Sequence, residues 1–209
     1  MELAGRTLVL ESSAEIDPDY QAQGRADGPP FWAYLWPSAW ALAAVISGGP
    51  ELRGWRVIDL GCGLGLCGFA AALRGASVVL ADIRPEAVRL AEKNAAKNQL
   101  AVEARVVDWN QPPADLGIFD GIVAADVLYD DGMLRGVLRF VRRHLGPSGL
   151  ALITDPNRVL PGGVLGAARL HGLVAEALTL RPGVSLAGGV ALYALRRRPG
   201  RIADPDAGC

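Results

Sequence analysis

The sequence predicts a doubly wound α/β fold: a mostly parallel sheet, helices on both faces, and a last strand running antiparallel. Three observations predict it. From Trp55 onward, short apolar strands alternate with helix-length segments. The first strand, "WRVIDL", runs into the glycine-rich turn "GCGLG", the place where open α/β sheets bind ligands. The last two apolar runs, "LVAEALTL" and "VALYALRR", are joined by "RPGVSLAGG". That connection is too short and glycine-rich for a crossover helix, so the two runs should pair antiparallel.

The elements follow in order. Residues 11–30 are polar and rich in turn formers, an irregular lead-in. "PSAWALAAVI" starts a helix at Pro37, because proline suits the first helical position. "WRVIDL" is β-branched and apolar, a buried strand. "GLCGFAAALRG" is a helix closed by Gly75. "SVVLAD" is a strand. "RPEAVRLAEKNAAKNQ" is a helix with Pro85 and Glu86 in its first turn. "EARVVDW" and "FDGIVAADVLY" are strands. "DGMLRGVLRFVRRHLG" is a helix whose arginines 135, 139, 142 and 143 form a solvated face opposite Leu134, Val137, Leu138, Val141 and Leu145. "GLALITD" is a strand and "GGVLGAARLHG" a shorter helix before the final pair. The strands total seven. The expected organisation is a lead-in over 1–30, one domain over 31–198 and a polar tail over 199–209.

Composition limits the function classes. The 209 residues carry a formal net charge of −1, with 51% hydrophobic and 21% charged residues. That is an ordinary globular balance, and it announces neither a nucleic-acid nor a membrane partner. The opening "MELAGRTLVLESS" does not read as a signal peptide, and no run reaches the roughly 18 apolar residues of a membrane span. The sparse cysteines, Cys62, Cys67 and Cys209, suit a reducing cytoplasm and do not form a zinc pattern. His144 and His171 are expected as helix-end or surface residues.

The chemistry concentrates at strand ends. Asp59, Asp82 and Asp108 end or nearly end three successive strands, and Gly61, Gly63 and Gly65 follow the first. A dinucleotide loop reads G-x-G-x-x-G, but Leu66 stands where the third glycine would fall. A carboxylate at Asp59 would face a pyrophosphate unfavourably and would suit a cationic ligand. S-adenosylmethionine (SAM) carries an ammonium and a sulfonium and no phosphate, so the loop favours SAM over NAD. Asp82 is placed to accept hydrogen bonds from ribose hydroxyls, and Asp108 lies within reach of an adenine amino group.

"VIDLGCGLG", "LADI" and "VVDWN" resemble the motif set of the seven-stranded, class I SAM-dependent methyltransferases. The resemblance implies that the loop glycines lie beneath the methionine part of SAM, that Asp82 holds the ribose and Asp108 the adenine N6, and that Ile83 packs on the adenine. Cys62, Trp109 and Ala125 complete the implied cofactor set. "PFWAYLWPSAWALA", "AADVLYDD" and "LITDPNR" narrow the likeness to lysine methyltransferases of folded, non-histone proteins, including the electron-transfer-flavoprotein β-subunit group. Asp126 and Tyr129 form the D-x-x-Y element of that group. Asp126 would stabilise charge on the acceptor nitrogen and Tyr129 would orient it. A helix-cap role for Asp126 over 131–145 stays open. Asp155 and Arg158 could shape the acceptor entrance, although turn chemistry explains "DPN" equally well.

Trp32, Trp36 and Trp40 are spaced like one helical stripe, but Pro37 disfavours helix at Trp36. Trp40 is therefore assigned to the core. The resemblance makes Trp36 a wall of the cofactor pocket, where cation–π attraction to a sulfonium makes sense. Trp32 is the candidate for the acceptor entrance. Three other readings remain: a small-molecule amine N-methyltransferase, an NAD-dependent oxidoreductase, and a non-catalytic nucleotide-binding module.

Overall fold

The computed structural model describes residues 2–12, 30–156, 163–178 and 189–199. Two short strands, β1 (Glu2–Leu3) and β2 (Arg6–Thr7), pair antiparallel. The main elements are α1 (Pro37–Ser47), β3 (Arg56–Leu60), α2 (Leu66–Leu73), β4 (Ser77–Asp82), α3 (Pro85–Lys97), β5 (Glu103–Val106), β6 (Phe119–Ala125), α4 (Asp131–His144), β7 (Leu145–Asp155), α5 (Gly163–Leu170), β8 (Leu173–Leu178) and β9 (Ala191–Arg197). Strands β3–β9 form a seven-stranded sheet in the order β5-β4-β3-β6-β7-β9-β8. The pairs from β5 through β7 are parallel, and β9 runs antiparallel between β7 and β8. The predicted doubly wound sheet is the fold that forms. The chain order reverses between β3 and β6, which opens a crevice at their carboxyl ends.

Strand side chains alternate between the two faces. Ile58, Leu60, Val79, Ala81, Ile122 and Ala124 pack with α4 and α5 on one face. Val57, Val78, Leu80 and Val123 pack with α1, α2 and α3 on the other. The predicted apolar face of α4 is buried. Asp130 caps that helix by accepting from the Met133 N–H at 2.8 Å. This leaves Asp126 out of the capping role.

Several boundaries differ from the sequence reading. β7 starts at Leu145, directly from α4, with a register irregularity opposite Phe119–Gly121. β6 stops at Ala125, so Asp126 to Tyr129 lie beyond the strand. The opening residues, expected as an irregular lead-in, carry the β1–β2 hairpin and bury Leu3 and Leu8. His144 ends α4 with Nδ1 donating to the Gly117 carbonyl at 2.7 Å, and His171 does the same to Ala167 at 3.0 Å. Both are structural helix-end histidines.

Candidate active site

The glycine loop is built by its first strand. The N–H groups of Gly61 and Cys62 both donate to the Ala81 carbonyl, at 2.8 and 2.9 Å, which turns the chain sharply after β3. Gly63 has φ +49, and a Cβ there would come within 2.8 Å of the Trp32 carbonyl oxygen. Only glycine admits that backbone approach. Gly65, at φ +89, is the N-cap of α2. It carries no capping side chain, so the Asp59 carboxylate substitutes from the strand, accepting from the Gly68 N–H at 2.8 Å.

That arrangement leaves two carboxylates in apolar surroundings. Asp59 is 2% exposed, and burial, reinforced by the nearby Asp82 charge, pushes its carboxyl up to about 7 despite the Gly68 hydrogen bond. Asp82 ends β4 and accepts from the N–H groups of Gly63 (3.1 Å) and Arg84 (3.0 Å). Burial still raises its pKa from the ordinary value. The free thiols of Cys62 and Cys67 are also buried and held well above their ordinary value, mainly by desolvation.

These groups border a cavity of about 360 Å³ at the carboxyl edge of β3, β4 and β6. Of the residues singled out from the sequence, Trp32, Trp36, Asp59, Gly61, Cys62, Gly63, Asp82, Ile83, Trp109, Ala125, Asp126 and Tyr129 line it. Trp36 holds its ring by donating Nε1–H to the Phe31 carbonyl at 2.8 Å. Its ring lies 6.0 Å from Phe31 and 6.2 Å from Tyr34, both tilted. Asp126 is 4% exposed with φ +58, and its N–H donates to the Thr154 carbonyl at 2.9 Å. Tyr129 is half-exposed at the mouth.

Three sequence candidates lie elsewhere, and a fourth is outside the described residues. Gly65 shapes the loop but is not a lining residue. Asp108 folds back to accept from the Asn110 N–H at 2.8 Å; its neighbour Trp109 is the turn residue that lines the cavity. Asp155 is 1% exposed at the end of β7, opposite Ala191 of β9, and is not among the residues that line the cavity. Arg158 lies outside the described residues. Sequence reasoning passed over Phe31, Tyr34, Leu35, Arg84 and Met133, which also line the cavity. For Phe31 and Tyr34 the signal was available in the aromatic density around Trp32 and Trp36.

The family model described as "Methyltransferase domain" matches residues 52–179, from just before β3 to just past β8. The chain belongs to the methyltransferase domain family. The electron transfer flavoprotein beta subunit lysine methyltransferase of Danio rerio is 37% identical over 132 residues, covering 62% of this methyltransferase and 51% of that relative. The calmodulin-lysine N-methyltransferase of Arabidopsis thaliana is 38% identical over 135 residues, covering 59% and 44%. The methyltransferase therefore spans about half the length of the curated relatives it matches. Among solved structures, a TehB-like SAM-dependent methyltransferase from Corynebacterium glutamicum superposes with a TM-score of 0.60 at 22% identity, covering 86% of this chain and 93% of that one. This likeness is one of fold. Among the described residues, no helix is long and apolar enough to cross a membrane.

Proposed function

We propose that this methyltransferase uses SAM to methylate the side-chain amine of a lysine in a folded protein. The carrying observation is the cavity itself: buried carboxylates at Asp59 and Asp82 beside the glycine loop, and a third, Asp126, beside the aromatic rim. Acidic floors under apolar walls favour a cation over a pyrophosphate. This supports SAM over a nicotinamide dinucleotide. The names of the lysine-modifying relatives support lysine as acceptor and a protein as partner. Two buried free thiols, at Cys62 and Cys67, suit a reducing compartment, and the cytoplasm is the proposed location.

When bound, SAM supplies an electrophilic methyl group on a sulfonium. In this reading the loop over Gly61–Gly63 receives the methionine end, Asp82 accepts from the ribose hydroxyls, and Ile83 and Trp109 flank the base. Trp36 presents an aromatic face to the cationic end. Asp126 stabilises the positive charge that grows on the acceptor nitrogen during transfer. The same carboxylate favours the protonated amine, whose reference pKa is about 10.4, so the proton must leave before attack. Tyr129 stands at the open mouth, where its hydroxyl can orient the amine while water accepts that proton.

The test is labelled-methyl SAM incubated with the protein and a cell lysate, followed by mass spectrometry of labelled bands. Methyl-lysine peptides are the expected result. Label only in small amines would move the acceptor to the small-molecule alternative. Calorimetric binding of NADH without binding of SAM would overturn the cofactor assignment.

A further inference from the structure

Helix α3 holds Asn94 in its last turn and is followed by Asn98 as its C-cap, in an otherwise alanine-rich segment. Asparagine is a poor helix-interior residue, because its amide competes for backbone partners. Both are nonetheless buried, at 0% and 6% exposure. Both amides reach the N-terminal arm, which lies outside the helix. Asn98 accepts from the Val9 N–H at 2.9 Å and donates to the Val9 carbonyl at 2.7 Å. Asn94 accepts from the Glu11 N–H at 2.8 Å and donates to the Glu11 carbonyl at 3.2 Å. The N-terminal arm is thus held along α3 by side chains acting as a strand partner would.

The two asparagines differ in their second bond. Asn98 Nδ2 turns back to the Asn94 carbonyl at 2.7 Å, whereas Asn94 Nδ2 donates to the Leu64 carbonyl at 3.3 Å. Leu64 belongs to the glycine loop and lines the cavity, with its side chain packed on Ala33, Leu90 and Trp32. One amide therefore joins the arm to the loop that borders the cavity of the proposed cofactor. The arm is anchored a second time through Glu11, which pairs with Lys93 at 2.6 Å and with Lys97. These are the chain's two lysines, and both serve this contact.

We infer that Asn94 is a positioning residue that couples docking of the N-terminal arm to cofactor binding, by holding the Leu64 carbonyl and with it the glycine loop. The inference rests on the SAM reading above for the identity of the ligand. The physical link is a population effect. A loop held in its binding shape for a smaller fraction of the time binds with proportionally weaker apparent affinity. Coupling is reciprocal, so cofactor must in turn hold the arm down.

Three measurements test it, with SAM as the probe. Asn94→Ala should raise the SAM dissociation constant about fivefold, the equivalent of one net hydrogen bond, with kcat at saturating SAM and the acceptor KM unchanged. Lys93→Ala/Lys97→Ala, which changes only exposed or half-exposed side chains, should weaken SAM binding about two- to threefold. In the wild-type chain, saturating SAM should slow hydrogen exchange at the Val9 and Glu11 amides, and Asn94→Ala should abolish that protection. Wild-type-like SAM affinity in both variants, or arm exchange indifferent to SAM, overturns the coupling. If the wild-type chain itself fails to bind SAM, the cofactor assignment has failed instead. The tether is then judged in the free protein: Asn94→Ala must speed exchange at residues 61–66, and unchanged exchange there overturns it.

Discussion

Asp126 occupies the left-handed backbone region, at φ +58, immediately beyond β6. Among ordinary residues Asp and Asn adopt that conformation most readily. Asp126→Asn therefore isolates the charge, whereas Asp126→Ala adds backbone strain to the loss of the carboxylate. Asp126→Asn should lower kcat about 10²-fold or more while leaving the SAM dissociation constant within twofold, read by steady-state kinetics beside calorimetry. Equal turnover in the variant would remove Asp126 from the chemistry. Asp59 gives a different signal. Its folded carboxyl titrates near 7, above its ordinary value of 3.8. Between those values the folded state keeps a proton that the unfolded chain has lost. Stability from this group is thus fully present below the unfolded value and is lost as pH rises towards 7. Asp59→Asn should flatten the decline of the urea midpoint between pH 4 and 7. A decline equal to wild type would show that another group causes it.

At the scale of elements, α1 separates two tryptophans that the sequence spaces alike. Trp36 is the N-cap, with extended backbone, and lines the cavity. Trp40 lies inside the helix and packs against the cluster containing Leu42, Ala43 and Ile46. Trp36→Ala should weaken SAM binding with little change in melting temperature. Trp40→Ala should cost about 2–3 kcal/mol of stability and leave affinity nearly unchanged. Matching effects on both readouts would remove the distinction. Helix α2 supplies a second case. A Cβ on Gly68 would lie 2.3 Å from Leu80 Cδ2, so α2 rests directly on β4 at that residue. Gly68→Ala should destabilise the protein by roughly 1–3 kcal/mol, measured by denaturant unfolding. Gly68 provides the close helix–strand contact that the loop, with Leu66 in place of a third glycine, does not.

For the whole molecule, ligand binding and folding are linked through the crevice where the chain order reverses. A ligand that binds only the folded state at a hundred times its dissociation constant adds about 2.7 kcal/mol. For a domain of this size that corresponds to a rise of roughly 5–10 °C in melting temperature. SAM should produce this rise and NADH should not; the opposite order would favour the oxidoreductase reading. The two core clusters, one on each face of the sheet, make this a property of the sheet as a whole.

The sequence by itself determined the strands, the helices, the antiparallel last strand and the glycine loop with Asp59 and Asp82. These are written in local periodicity, in proline and glycine positions, and in short spacings along the chain. It also singled out Asp126 and Tyr129, through the D-x-x-Y element of the family that the sequence resembles. Only the tertiary structure decided which strand-end acids face the cavity. Asp108 turns back on Asn110, and Asp155 is buried opposite Ala191, yet both look like Asp82 in one dimension. Nor could the sequence assign the arm to Asn94 and Asn98, since the Asn94 bonds to Glu11 span 83 residues and the Asn98 bonds to Val9 span 89. Side-chain direction and long-range pairing depend on what the fold brings alongside, and that is set only when the sheet and its helices close together.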